Sequence, residues 1–252
     1  MQVNVNKLRE DFTRFSAEWK NTTQANKTIY DYFQSEVDNY DFLKKHCEVI
    51  SSASLGYGEK PFRYLWLILL AQLETSGKFL EIGVYKGSIL ALSQMIAEEL
   101  GIELETYGLT PLDTTGDKYS IYANDDYDYG VSYVYHSLGV SLDHTSIIQG
   151  LSTDEKAKQS ARDNGPYDIL YIDGGHDYST VINDIDLCSE ILKVGGLMVM
   201  DDASSLLSFD SSHPGFDGHK EVGLAIRDRL DNDDTYTHLF ACGHNRVWIK
   251  NK

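Results

Sequence analysis

From residue 78 onward, five short strand-like runs alternate with helix-spaced segments, and this alternation restricts the fold more than any other feature of the chain. The runs are KFLEIG (78–83), IELETYGL (102–109), HTSIIQ (144–149), YDILYID (167–173) and GGLMVMDD (195–202). After the first, Ile89, Leu92, Ile96 and Leu100 recur on one helical face, closed by Gly101 in the place of a left-handed cap. TDEKAKQSARDN (153–164) begins a polar helix with Thr153 or Ser152 as its cap. Val181, Ile185, Cys188 and Leu192 mark another, and a last helix falls around 219–231. Strands separated by helices form βαβ units with a parallel sheet. YDILYI and LMVM are apolar nearly throughout, as strands covered on both faces are. TYTHLFAC and RVWIK are joined only by Gly243-His244-Asn245, so they form a direct antiparallel pair at the sheet's end. The predicted fold is α/β: a doubly wound, mostly parallel sheet of seven strands with a terminal antiparallel strand.

The first 60 residues have no strand pattern. Leu8, Phe12, Phe15 and Trp19 share one helical face, and Tyr30, Phe33, Val37 and Tyr40 repeat the spacing. Two amphipathic helices joined by a loop at NTTQAN are expected there, covering a core; a lid or a contact between subunits of a homo-oligomer is the alternative. The expected division is an N-terminal helical extension (1–60) and a main domain (61–252). Pro61 opens a helix whose apolar run, 62–73, is buried all round.

Charge and cysteines narrow the setting. With 22 basic and 39 acidic residues the formal charge is −17, which repels phosphate backbones and anionic lipid. No nucleic-acid or membrane partner is therefore expected. Three scattered cysteines without a CxxC fit a reducing compartment. The N-terminus lacks the apolar core of a signal peptide, and the longest apolar run is too short to span a bilayer. A cytoplasmic location is expected.

The chemistry gathers at the predicted strand ends. Glu81-Ile82-Gly83-Val84-Tyr85-Lys86-Gly87 lies at the first strand–helix junction, where an open α/β sheet binds ligands. Glycine there admits close backbone approach, and the helix N-terminus attracts negative charge. The spacing is ExGxxxG, which does not match the GxGxxG dinucleotide turn and argues against an NAD-dependent oxidoreductase. Asp173-Gly174-Gly175-His176 follows the fourth strand, and Asp201-Asp202 ends the fifth. Neighbouring strands lie about 5 Å apart, so three carboxylates would converge and repel unless a hard divalent cation such as Mg²⁺ joined them. Asp201 and Asp202 can share an ion only if the chain turns after the strand. An imidazole, with an unperturbed pKa of about 6.5, suits His176 to the work of a general base. Taken singly, Asp173 could be a turn residue, the Asp pair a helix cap and His176 a loop histidine. His213, His219, His238 and His244 lack the spacing of a zinc site, although His213 or His219 could enter from the loop after Asp202. The Tyr/Asp-rich insertion (110–130) is a solvated loop or a pocket lining.

FLEIGVYKGS, YDILYIDGGHDYSTVINDI and LKVGGLMVMDDAS together resemble the class I S-adenosylmethionine-dependent methyltransferases. More narrowly, they resemble the metal-dependent macrocin- and mycinamicin-type sugar O-methyltransferases. The similarity runs over about 58–250 and implies a Rossmann-like fold. It implies cofactor contacts from Glu81, Gly83, Tyr85, Gly87, Ser88, Ser152 and Asp173. It also implies a Mg²⁺ site at Asp173, Asp201 and Asp202, with His176 as the proton acceptor. The second strand departs from the family pattern: it reads Tyr107-Gly108-Leu109-Thr110, with no acid at its end, so Thr110 or Asp113 would serve the ribose. The implied activity is methyl transfer to a hydroxyl of a small-molecule acceptor. A sugar or glycosylated natural product is favoured over a catechol-like phenol, an amine or an inactive cofactor-binding module.

Overall fold

The computed structural model describes residues 3–56, 58–113, 127–205 and 218–252. The five expected strands lie in it as β1 (Ser76–Ile82), β2 (Glu103–Thr110), β3 (Thr145–Gln149), β4 (Tyr167–Ile172) and β5 (Leu192–Met200). The hairpin strands are β6 (Tyr236–Cys242) and β7 (Asn245–Lys250). The order across the seven-stranded sheet is β3-β2-β1-β4-β5-β7-β6. All pairings through β5 are parallel, whereas β7 is antiparallel to both β5 and β6. The last strand thus inserts between β5 and β6, the geometry that a two-residue turn at Gly243-His244 permits. The strand order reverses between β1 and β4, where ligands bind in such sheets.

Successive residues face opposite layers. Phe79, Ile169, Leu197 and Val199 enter one apolar cluster, and Leu80, Leu170, Met198 and Met200 the other. This period of two, with both sides apolar, explains why the central strands read as continuous hydrophobic runs. The first layer is covered by α4 (Phe62–Leu70), α5 (Ser88–Leu100), α6 (Tyr127–Leu138) and the N-terminal helices. The second is covered by α7 (Glu155–Asn164), α8 (Tyr178–Ile191) and α9 (Lys220–Ile226), the last continued by a π turn through Asp231. α4 is buried over its whole length, as expected. Gly101 caps α5 at φ 68°, also as expected.

The N-terminal segment holds three helices, α1 (Val5–Glu18), α2 (Thr23–Val37) and α3 (Asp41–Ser52), where the sequence predicted two. α2 starts inside the predicted NTTQAN loop because the Thr22 hydroxyl caps the Ala25 N–H at 3.2 Å. Tyr40 is the N-cap of α3, outside the second helix to which its spacing assigned it. Leu8, Phe33 and Leu43 are fully buried and belong to the same cluster as Trp66 and Phe79. Each such side chain contributes about 1.5–3 kcal/mol of burial. The segment therefore covers the sheet and has no separate core.

Other boundaries shift slightly. β5 begins three residues earlier than the sequence predicts, with Gly195 in a left-handed conformation (φ 81°) within it. α7 is preceded by Asp154, not Thr153 or Ser152, because the Asp154 carboxylate accepts the Leu151 N–H and closes the turn ahead of the helix. Of the Tyr/Asp-rich insertion, residues 127–130 open α6, while 114–126 lie outside the described residues, as does His213. Among the described residues, no helix is long and apolar enough to cross a membrane.

Candidate active site

One backbone hydrogen bond past each strand end carries the sheet register into the loops. Gly83 N–H donates to Leu109 O at 3.0 Å, Asp173 N–H to Ile82 O at 2.9 Å and Asp201 N–H to Ile172 O at 3.0 Å. Gly83, Asp173 and Asp201 consequently stand in a row at the carboxyl edge. Gly83 has φ 95°, and a Cβ there would overlap the Asp173 carbonyl, so only glycine fits. A cavity of about 560 Å³ opens over this row. Every sequence-predicted site residue lines it except Gly87. Gly87 instead turns the chain into α5 at φ 74° and packs beneath Val131 and Tyr135.

The acids are buried and crowded. Burial, with Asp201 nearby, pushes Glu81 up to about 8, and its Oε2 has no hydrogen-bond partner. Burial and then the charges of Asp201, Asp202 and Glu81 hold Asp173 well above the carboxylate range. Asp201 is raised by burial and by Asp202, against a lowering by His244. It also shares a hydrogen bond with Tyr171. Without a counter-ion, such a cluster retains protons.

β5 ends at Met200, and the chain turns at Asp202, whose φ is +55°. This is the turn that lets both aspartates face one site. The turn is clamped: Asp202 O accepts from His219 N–H at 3.0 Å, and a Cβ on Gly218 would overlap that same Asp202 carbonyl. Strained backbone of this kind persists only when its surroundings fix it. Two side-chain groups here have a metal-holding geometry: His176, Asp202 and His219, and Asp201, Asp202 and His244. His176 Nε2 lies 2.9 Å from Asp202 Oδ2, and its ring sits 4.3 Å from the His219 ring. Asp173 belongs to neither group but lies beside them in the cavity.

Several residues of the site were not singled out from the sequence. His244 sits in the β6–β7 turn with Nε2 3.2 Å from Asp201, whose Oδ1 also accepts Asn245 Nδ2 at 2.7 Å. The Gly-His-Asn turn between two apolar strands was the available signal. His219, considered as an entrant from the loop, does reach Asp202, at 3.6 Å. At the end of β2, the Thr110 hydroxyl donates to Val84 O at 3.0 Å, while Asp113 also lines the cavity. Ser152 is held by Asn183, which donates to its carbonyl at 2.9 Å, and by the carboxyl of Asp184, which burial raises to about 6.

Residues 80–203 match a family described as a methyltransferase domain. The match spans just under half of the chain. No curated protein matches it by sequence. Among solved structures, the chain resembles the SAH-bound methyltransferase PaMTH1 of Podospora anserina, at 15% identity, 88% and 94% coverage of the two chains and a TM-score of 0.59. It resembles the O-methyltransferase TomG of Streptomyces achromogenes, solved with SAM, at 15% identity, 91% and 99% coverage and a TM-score of 0.57. It also resembles MycE of the mycinamycin pathway, solved with Mg, SAH and mycinamycin VI, at 20% identity and a TM-score of 0.51. That match covers 82% of this chain and 55% of MycE, so the present chain spans about half of the larger enzyme. At such identities the likeness is one of fold, and it matches the Rossmann-like sheet described above.

Proposed function

We propose that this methyltransferase is an S-adenosylmethionine-dependent O-methyltransferase that uses Mg²⁺ or a similar divalent cation. Its acceptor would be a hydroxyl of a small molecule, with a sugar or glycosylated natural product favoured. One observation carries the reading: a single cavity joins the glycine cradle at Gly83 and Asp173 to the carboxylate–imidazole cluster of Asp201, Asp202 and His176.

Both groups fit the residues present. For the cofactor, Glu81 presents a buried, unpartnered carboxyl oxygen, and the Gly83 backbone leaves room where any other residue would clash. For the cation, Asp173, Asp201 and Asp202 form a crowded oxygen donor set whose repulsion a divalent charge relieves. PaMTH1 with SAH, TomG with SAM and MycE with Mg supply the same ligand chemistry in relatives of this fold. When bound, the cofactor supplies an electrophilic methyl group and the cation a Lewis acid that lowers the acceptor's pKa.

The chain's own residues then have separable tasks. Asp202, fixed by its turned backbone, orients the His176 imidazole through Nε2. His176 accepts the hydroxyl proton. Tyr85 and Tyr127, edge to face at 5.6 Å on the cavity wall, offer aromatic surface to a ring-shaped acceptor. The rigid strand ends hold acceptor and methyl donor in line, which is the larger part of such catalysis. The charge of −17 disfavours nucleic acid as acceptor. The three free cysteines suit a reducing cytoplasm.

The deciding experiment is calorimetric titration of the protein with S-adenosylmethionine, with and without Mg²⁺, followed by a metal-dependent screen of sugar and catechol acceptors. Saturable binding with metal-dependent turnover is expected. Absence of binding to folded protein under both conditions overturns the assignment.

A further inference from the structure

Arg63, on α4, is 5% exposed and lines the cavity. Its Nη1 donates to the carbonyls of Gly58 and Glu59 at 2.7 and 2.8 Å, and its Nε to His46 Nδ1 at 3.3 Å. Its Nη2 makes no hydrogen bond with the described residues, and none of them pairs the guanidinium with a carboxylate. Buried arginines are ordinarily paired with an anion. Tethering residues 58 and 59 needs donors but not a charge, so the retained charge calls for an anion from the cavity.

The position of Arg63 says which anion. His46 Nε2 contacts Ser88 O at 3.0 Å, so Arg63 reaches the first residue of α5 through a single imidazole. Glu81 reaches the same helical turn, where its carboxyl is hydrogen-bonded to the Leu90 backbone. Among the described residues, no side chain caps this helix start. A cation, through His46, and an acid, directly, thus both adjoin the first turn of α5 with no ion pair between them among the described residues, a complementary pair for a zwitterion.

We propose that Arg63 binds the α-carboxylate of the cofactor's amino-acid end, opposite an ammonium held by Glu81. This rests on the cofactor reading above and extends it to a residue outside the ExGxxxG segment. It also predicts a preference that runs against the local field. Glu81, Asp173, Asp201 and Asp202 make the cavity acidic, so acidity alone would favour decarboxylated S-adenosylmethionine, which has one more net positive charge. A preference for the carboxylate-bearing form requires a compensating attraction, which the Arg63 guanidinium would supply and its substitution remove.

The test is calorimetry of the full chain with S-adenosylmethionine and with its decarboxylated analogue, on wild type, Arg63→Gln and Arg63→Lys. The expected result is at least tenfold tighter binding of S-adenosylmethionine by wild type. Arg63→Gln should lose that preference while binding the analogue within about threefold of wild type, and Arg63→Lys should retain part of it. Equal binding of the two ligands by wild type, which needs no variant to fold, overturns the role of Arg63 and leaves the cofactor reading intact. Equal loss of both ligands in Arg63→Gln also overturns it, because that pattern marks a structural residue. Binding of neither ligand by folded wild type removes the cofactor reading and this proposal with it.

Discussion

The side chain of Asn26 closes a two-bond ring with the backbone of Gly243: Gly243 N–H donates to Oδ1 at 2.8 Å, and Nδ2 donates to the Gly243 carbonyl at 3.1 Å. Asn26 is fully buried in α2, and Gly243 opens the turn that carries His244 and Asn245 to Asp201. Ser204 Oγ donates to the same carbonyl at 2.9 Å, and Ala203 N–H to His244 O at 2.9 Å. The N-terminal helices therefore anchor the hairpin turn that abuts the acid cluster, a role beyond covering the core. Asn26→Ala leaves the buried Gly243 N–H without a partner, at a cost of about 1–3 kcal/mol. Thermal denaturation should show a melting point lower by several degrees, and cation titration a weaker site. A variant unchanged in both measurements would show that the ring anchors nothing.

Glu81 sets a pH dependence with a definite sign. Its folded pKa of about 8 lies above its ordinary 4.5, so the folded protein keeps a proton that the unfolded chain gives up. Its contribution to stability is therefore fully present below pH 4.5 and is lost as pH rises towards 8, at about 1.4 kcal/mol per unit. Asp173, Asp201 and Asp184 are shifted in the same direction, so only the difference between wild type and Glu81→Gln isolates this group. In ligand-free protein, Glu81→Gln should melt higher than wild type at pH 8 and close to it at pH 5. A gap that does not widen with pH refutes the assignment.

The strands and their mostly parallel arrangement were legible because a doubly covered parallel sheet imposes continuous apolar runs on its central strands, and Asp173 and Asp201 were placed by where those runs stop; the order across the sheet was not, because no local spacing records which strands pair. α3 was hidden because Tyr40 continues the spacing of α2 although it caps the next helix. His244 and Arg63 were hidden for another reason: each enters the cavity through tertiary packing, from a hairpin turn and from a helix buried all round, and no local spacing records that. Gly87 shows the converse. The resemblance assigns it to the ligand, yet it does not line the cavity, and its left-handed backbone and the nearness of Val131 call for glycine on their own.

Gly218 and Gly195 make a matched pair for testing the clamp on Asp202. Both have positive φ, 101° and 81°, so alanine strains either by about 1–2 kcal/mol. A Cβ at Gly195 meets nothing within 4 Å, whereas one at Gly218 collides with the Asp202 backbone. Gly218→Ala should weaken cation binding at least tenfold, while Gly195→Ala lowers stability alone. Equal cation affinity in the two variants would mean that the turned Asp202 backbone is not what fixes the site.

His176 and His219 face the same Asp202 oxygen, at 2.9 and 3.6 Å, so contact alone does not divide their roles between proton transfer and metal ligation. The position in the chain does. His176 follows Asp173 in the loop after β4, beside the glycine cradle, whereas His219 stands at the N-cap of α9. A general base contributes about 10²–10⁴-fold to rate. His176→Gln should therefore lower turnover by that order with cation affinity within about threefold of wild type. Asp202→Asn, which keeps a residue tolerant of the left-handed backbone, should lose both cation binding and turnover without a fall in melting point, because it relieves the crowding of carboxylates. Cation titration and single-turnover methyl transfer on the same preparations separate the two effects. A large loss of cation affinity in His176→Gln would make this histidine a ligand and move the proton-accepting role to another group.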